Sequence, residues 1–253
     1  GADPLAPDYR GPAPFSEPET LNVRDLFSRQ QVTAFVTNHT YGDLLLRPPG
    51  LASAPDPVDE PLLARLGGRM AARNGYVSQA GYQLYETTGT TEDWAYYATG
   101  SLGYTFEIGT TGFHPPFAET LAEWPGDRDA YYELAGFAAR PRSHSVLRGK
   151  GPPRGTITVA KAFRTPTSPV LDATGRPGAV QRLPDRIGAS ARVGRGGGFT
   201  LHVNPSTRPS VAARGGAERW RLVCRGRNGR VTGSRRVEVD RGEVKRLDLR
   251  SGC

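Results

Sequence analysis

Apolar and polar positions along this chain follow two different periods, and the change falls near Ser143. Before it, long apolar runs and helical spacings dominate. Ser16-Glu17-Pro18-Glu19 has the form of a capping box with proline in the first turn. It predicts a helix to about Arg29, with Leu21, Val23, Leu26 and Phe27 as its apolar positions. Val32-Thr33-Ala34-Phe35-Val36 is a β-branched and aromatic run, hence a strand, which turns polar at Thr37-Asn38-His39-Thr40-Tyr41-Gly42. Leu44-Leu45-Leu46 predicts a second short strand, ended by Pro48-Pro49. Residues 59–74 read as a helix with Leu62, Leu66 and Met70 on one face and Asn74-Gly75 as its stop. Residues 76–92 read as a long glycine-marked loop. A short helix over 93–99, a strand over 104–108, a rigid turn at Gly112-Phe113-His114-Pro115-Pro116 and a helix over 127–139 follow.

After Ser143 strict alternation takes over. Thr156-Ile157-Thr158-Val159, Phe199-Thr200-Leu201-His202-Val203, Trp220-Arg221-Leu222-Val223-Cys224, Val237-Glu238-Val239 and residues 244–249 are short period-2 runs between Gly, Pro and Asn turns. They predict a small antiparallel sandwich, with residues 164–198 as a long, polar, glycine-rich connection. The expected fold is therefore α/β over residues 1–143, a mixed sheet with flanking helices, followed by a small all-β sandwich over 144–253.

Composition adds a division of charge. Residues 1–143 hold 10 Lys+Arg against 18 Asp+Glu, a net of −8, and residues 144–253 hold 23 against 7, a net of +16. Such asymmetry suggests two domains with different partners. An anionic surface or polymer is one partner the basic part would take, and a solvated soluble surface is the plainer account. Nucleic acid is disfavoured, because no aromatic stacking platform is interleaved with the arginines. No apolar run approaches the roughly 18 residues of a membrane helix. No signal pattern opens the chain either, and since it begins at Gly1 that tells nothing about secretion.

Two strands end in residues that can do chemistry. His39 closes the first strand beside a glycine turn, and it is either a metal ligand or a strand-end imidazole satisfied by backbone. Glu107 closes an apolar strand in the same way. Partial desolvation there would raise its pKa toward general-base work, the alternative being a salt-bridged carboxylate at a sheet edge. Tyr85 lies in the long loop, where it can cap a ligand or simply pack. None of His39, His114, His144 and His202 opens an H-x-x-E or H-E-x-x-H pattern; His114 reads as structural, His144 as a junction residue and His202 as solvent-facing.

Tyr85-Glu86-Thr87-Thr88-Gly89-Thr90-Thr91-Glu92-Asp93-Trp94, followed by Tyr104-Thr105-Phe106-Glu107, resembles zinc carboxypeptidases of the carboxypeptidase A type. That family has a mobile Tyr, a glycine loop, Asp-Trp and a strand ending in the catalytic Glu. His39-Thr40-Tyr41 resembles the family's His-Ser-Tyr, and the likeness covers residues 1 to about 140. The resemblance implies one Zn2+ with His39 as a ligand, Glu107 as the catalytic base, and Tyr85, Thr40 and Tyr41 on the substrate. Glu92 then falls at the base of the specificity pocket, where a carboxylate would favour Lys or Arg; alternatively it is a water-facing residue at a helix start. The substrate implied is the C-terminus of a peptide or protein.

The family's H-x-x-E ligand pair and its Asn-Arg pair for the substrate carboxylate do not occur here. The expectation is a C-terminal part of a secreted catalytic domain whose two further zinc ligands lie upstream, so that this chain alone is inactive. The rival is an inactive carboxypeptidase-like protein whose basic β domain binds an anionic polymer or cell-wall surface. In a secreted protein Cys224 and Cys253 would form a disulfide worth roughly 2–4 kcal/mol, and two free thiols is the alternative.

Overall fold

The structure is a computed structural model that describes residues 4–6, 9–171, 174, 176–251 and 253. Helix α1 spans Pro18–Arg29, and strands β1 (Ala34–His39) and β2 (Leu44–Arg47) follow. Helix α2 (Glu60–Asn74), strand β3 (Val77–Ala80), the short helix α3 (Thr91–Trp94) and strand β4 (Leu102–Glu107) come next. Helix α4 (Phe117–Ala138) leads to β5 (Ser145–Lys150), β6 (Thr156–Leu171), β7 (Pro177–Arg192) and β8 (Gly198–Val203). The turn of helix α5 (Pro209–Ala212), β9 (Trp220–Arg225), β10 (Val231–Val237) and β11 (Val244–Asp248) complete the order.

The first sheet runs β1-β4-β2-β3 and is mixed: β1 with β4 and β2 with β3 are parallel, β2 with β4 antiparallel. Strand β4 is buried at every position. Leu63, Leu66 and Met70 of α2 close over it with Ala130, Leu134 and Phe137 of α4, Leu45, Tyr104 and Phe106 filling the space between. Helix α2 stops where the sequence says it should, at Gly75 in the left-handed region (φ 79°).

Three local expectations fail here. Helix α1 has no capping box, since Ser16 donates to the neighbouring Glu17 carboxylate, and it buries Phe27 while Leu21 and Leu26 stay exposed. The loop over 76–92 contains β3 and a 3-10 turn at Gly81–Gln83. Helix α4 begins ten residues earlier than residue 127 and carries Pro125 inside it. The Pro125-Gly126 pair, which reads as a breaker, marks a close crossing: a Cβ at Gly126 would stand 2.9 Å from Asn74 Cα at the end of α2.

The remaining strands form two facing sheets, β10-β9-β6-β7 and β11-β5-β8. Leu147, Ile157, Val159, Leu201, Trp220 and Leu222 are among the residues of their common core. The four-stranded sheet is antiparallel, but β11 pairs with β5 in parallel. Most of residues 164–198, expected as an irregular connection, belongs to a long hairpin registered from Thr156 opposite Arg192 to Leu171 opposite Pro177. Cys224 and Cys253 are bonded to each other.

Specific polar contacts join the α/β and all-β parts. The Asn204 amide donates to the carbonyls of Val32 and Thr99, both at 3.0 Å. Arg241 donates to both Asp59 carboxylate oxygens at 3.0 Å and to the carbonyls of Gly100 and Ser143 at 2.9 Å. Arg24 pairs with Asp185, and the Trp94 indole donates to the same carboxylate at 3.4 Å.

Candidate active site at the end of β1 and β4

Parallel pairing of β1 with β4 sets His39 opposite Glu107, Thr37 opposite Thr105 and Phe35 opposite Gly103. With a side-chain period of two, those six residues share one face of the sheet. The face is polar toward its carboxyl end, where open α/β sheets hold their ligands. His39 Nδ1 lies 3.9 Å from Glu107 Oε1. The two differ in surroundings: the imidazole is exposed, while Glu107 is only 6% exposed. Burial holds the Glu107 carboxyl above the usual carboxylate range; His39 opposes that shift and the nearby Glu92 adds to it.

The loop after β1 fixes the floor. The Thr40–Tyr41 peptide is cis, Thr40 Oγ1 donates to the Gly112 carbonyl at 3.1 Å, and the Tyr41 ring meets Phe113 edge-on at 5.3 Å. The Gly42 amide donates to the Gly109 carbonyl at 2.6 Å, and the Ile108 amide to the His39 carbonyl at 2.9 Å. The ends of β1 and β4 are thus tied to each other by backbone.

Glu92 sits at the second position of α3 and is buried. It packs on Gly103, where an added Cβ would stand 2.9 Å from Glu92 Cα, Cβ and O. Glu92, Thr105 and Glu107 therefore come from a helix start and one strand face. Tyr85 is 62% exposed on the preceding loop, and among the described residues no hydrogen bond or ion pair links it to His39 or Glu107.

Sequence reasoning passed over Asp93. Its Oδ2 accepts from the Gly50 amide at 3.0 Å, and Oδ1 is buried without a partner among the described residues. Burial pushes its pKa up to about 6, the Gly50 amide opposing and Glu92 adding to the rise. Its place next to Glu92 in Glu-Asp-Trp was the available signal. His114 is exposed; His144 is buried, with Nε2 2.6 Å from Nδ1 of the exposed His202.

A catalytic zinc takes three protein ligands. Among the described residues no group of three or more His, Cys, Asp or Glu side chains could hold a metal ion. His39 alone does not fit one, and among the described residues no helix is long and apolar enough to cross a membrane.

Residues 1–130 match the family model for zinc carboxypeptidases. Mouse carboxypeptidase A2 is 31% identical over 122 residues, covering 45% of this chain and 29% of the relative. The zinc carboxypeptidase of Saccharothrix mutabilis subsp. capreolus is 35% identical over 107 residues, covering 39% of this chain and 25% of the relative. The chain thus spans about a quarter to a third of these relatives' length. A solved structure of carboxypeptidase A from Helicoverpa armigera is 20% identical with a TM-score of 0.42, over 51% of this chain and 36% of that one. With its first half matched from end to end by the family model, the chain belongs to the zinc carboxypeptidase family.

Proposed function

We propose that residues 1–143 are the general-base wall of a carboxypeptidase active site and that residues 144–253 are an accessory β domain. The observation that carries this is Glu107, a buried carboxyl with a raised pKa beside an exposed imidazole at the carboxyl end of a sheet. A carboxylate so placed accepts a proton from water near neutral pH more readily than an exposed one. As the water oxygen adds to the carbon of the last peptide bond, its proton passes to Glu107. The proton then moves to the departing nitrogen as the carbon–nitrogen bond breaks, giving a shortened peptide and a free amino acid. Tyr85 covers the terminal residue, Thr40 and Tyr41 line its approach, and Glu92 favours a Lys or Arg side chain by charge.

One imidazole does not make a zinc site, and we propose that two further donors stand upstream of Gly1. Strand β1 supports a site completed by more chain: it pairs only with β4 among the described residues, and its apolar Ala34, Phe35 and Val36 are half-buried at a sheet edge. The Cys224–Cys253 bond agrees with an enzyme that works outside the cell. A family member that has lost hydrolysis is favoured only by the missing donors; a base kept in a base's surroundings speaks against it.

The test is release of C-terminal residues from peptides, together with zinc content. This chain alone should neither bind zinc stoichiometrically nor cleave. The protein extended upstream should do both, and Glu107→Gln in that protein should lose cleavage by at least about a hundredfold while keeping zinc. An extended protein that binds no zinc, or a Gln variant that still cleaves, overturns the proposal.

A further inference from the structure

The outward face of the sheet β10-β9-β6-β7 is built from arginines and small residues. Arg236 stands opposite Arg221, Arg221 opposite Ala160, and Arg186 opposite Ala162. Four residues along the strands, Thr156 lies between Arg225 and Arg192. A row of Ser234, Val223, Thr158 and Ser190 separates these two arginine rows, with Thr158 Oγ1 and Ser190 Oγ 2.9 Å apart. Alternate residues of the same strands, Trp220, Leu222, Ile157 and Val159, point into the core.

Among the described residues no carboxylate pairs with Arg186, Arg192, Arg221 or Arg236. The two acids at the rim are engaged elsewhere, Glu218 by Lys161 and Arg208 and Glu238 by Arg219. Like charges directly opposite one another destabilise a strand pair, so Arg221 facing Arg236 costs stability for as long as no anion lies between them. The hollow above Ala160 and Ala162 measures about 660 Å3 and is lined by Arg186, Arg219, Arg221 and Arg236, together with Glu218 and its partner Lys161. At about 4.8 Å between strands and 3.3 Å per residue, the backbone positions of these arginines span roughly 14 Å across the sheet and 13 Å along it. That extent fits several units of a chain rather than one small anion.

We propose that this face binds an acidic polysaccharide, with carboxylates seated in the two arginine rows and sugar hydroxyls on the Ser/Thr row between them. Guanidinium groups take planar carboxylates in a bidentate fork. The central hydroxyl row gives neutral hydrogen-bonding groups a place, which a polyphosphate lacks the means to use. Among the described residues no aromatic side chain lies on the face, so the stacking that holds single-stranded nucleic acid is missing there. The surface belongs to the all-β part and does not depend on whether the β1–β4 site is catalytic.

The experiment measures binding of the full chain to polygalacturonate at several salt concentrations, with single-stranded DNA and polyphosphate as glycan-free polyanions. The paired change Arg221→Ser and Arg236→Ser should weaken polygalacturonate binding about tenfold, the yield of two exposed charge contacts. Arg148→Ser with Arg246→Ser removes the same charge from the β5–β11 pair and should leave affinity within about twofold. In wild type, polygalacturonate should protect Arg221 and Arg236 from phenylglyoxal, a reading that needs no variant to fold. Equal loss in both paired variants, absence of protection, or DNA or polyphosphate binding as tightly as the glycan overturns the proposal.

Discussion

Asp93→Asn tests the electrostatics of the α3 start directly. The carboxyl has an ordinary pKa of 3.8 and is pushed up to about 6, chiefly by burial. Between those values the folded state binds more protons than the unfolded one, so stability present at low pH is lost as pH rises through that window. A difference of about two pH units corresponds to about 3 kcal/mol in all, and about half of it falls between pH 5 and pH 8. Asparagine keeps an acceptor for the Gly50 amide and removes the titration, but it sets an amide group where Oδ1 has no partner. That fixed cost, of roughly 1–3 kcal/mol, is the same at both pH values and cancels in the comparison. Urea unfolding of both proteins near pH 5 and pH 8 should therefore show the variant gaining about 1.4 kcal/mol on wild type at the higher pH. Glu107, Asp43 and Asp127 also have raised pKa values, but they are present in both proteins. A gap between variant and wild type that does not change with pH would refute the assignment of a buried, destabilising charge to Asp93.

Gly103→Ala should destabilise by about 1–3 kcal/mol in thermal melting, because the new methyl meets the backbone of Glu92 at 2.9 Å. Arg241→Met leaves Asp59 without its guanidinium and should cost about 3 kcal/mol by urea unfolding, more than the loss from any exposed pair such as Arg219–Glu238. Cys224→Ser should lower stability by about 2–4 kcal/mol, and a reductant should lower the wild type to match but leave the variant unmoved.

The strands that carry His39 and Glu107 are legible because each is an apolar run closed by one polar residue and a turn. That these residues are register partners is not legible, since parallel pairing joins segments 68 residues apart through a crossover that no local pattern encodes. Helix α2 is readable from Leu66, Met70 and Gly75. The first half of α4 is hidden because Phe117, Leu121 and Trp124 are exposed and Pro125-Gly126 serves a helix crossing rather than a stop. The arms of the β6–β7 hairpin carry Arg, Thr and Pro where alternation would need apolar residues, so the backbone ladder holds them beyond the core. Asp93 escaped because burial, unlike residue type, comes from the partners that fold over a segment.

Among the described residues the outer edge of strand β1 has no strand partner along Ala34, Phe35 and Val36, and no lysine or proline in that run blunts it. Such an edge is a template for any extended chain that meets it, including β1 of a second molecule. The soluble lifetime of this chain in isolation should therefore depend on its concentration, with aggregates seeded along that strand rather than at the arginine-rich sheet, whose charges repel.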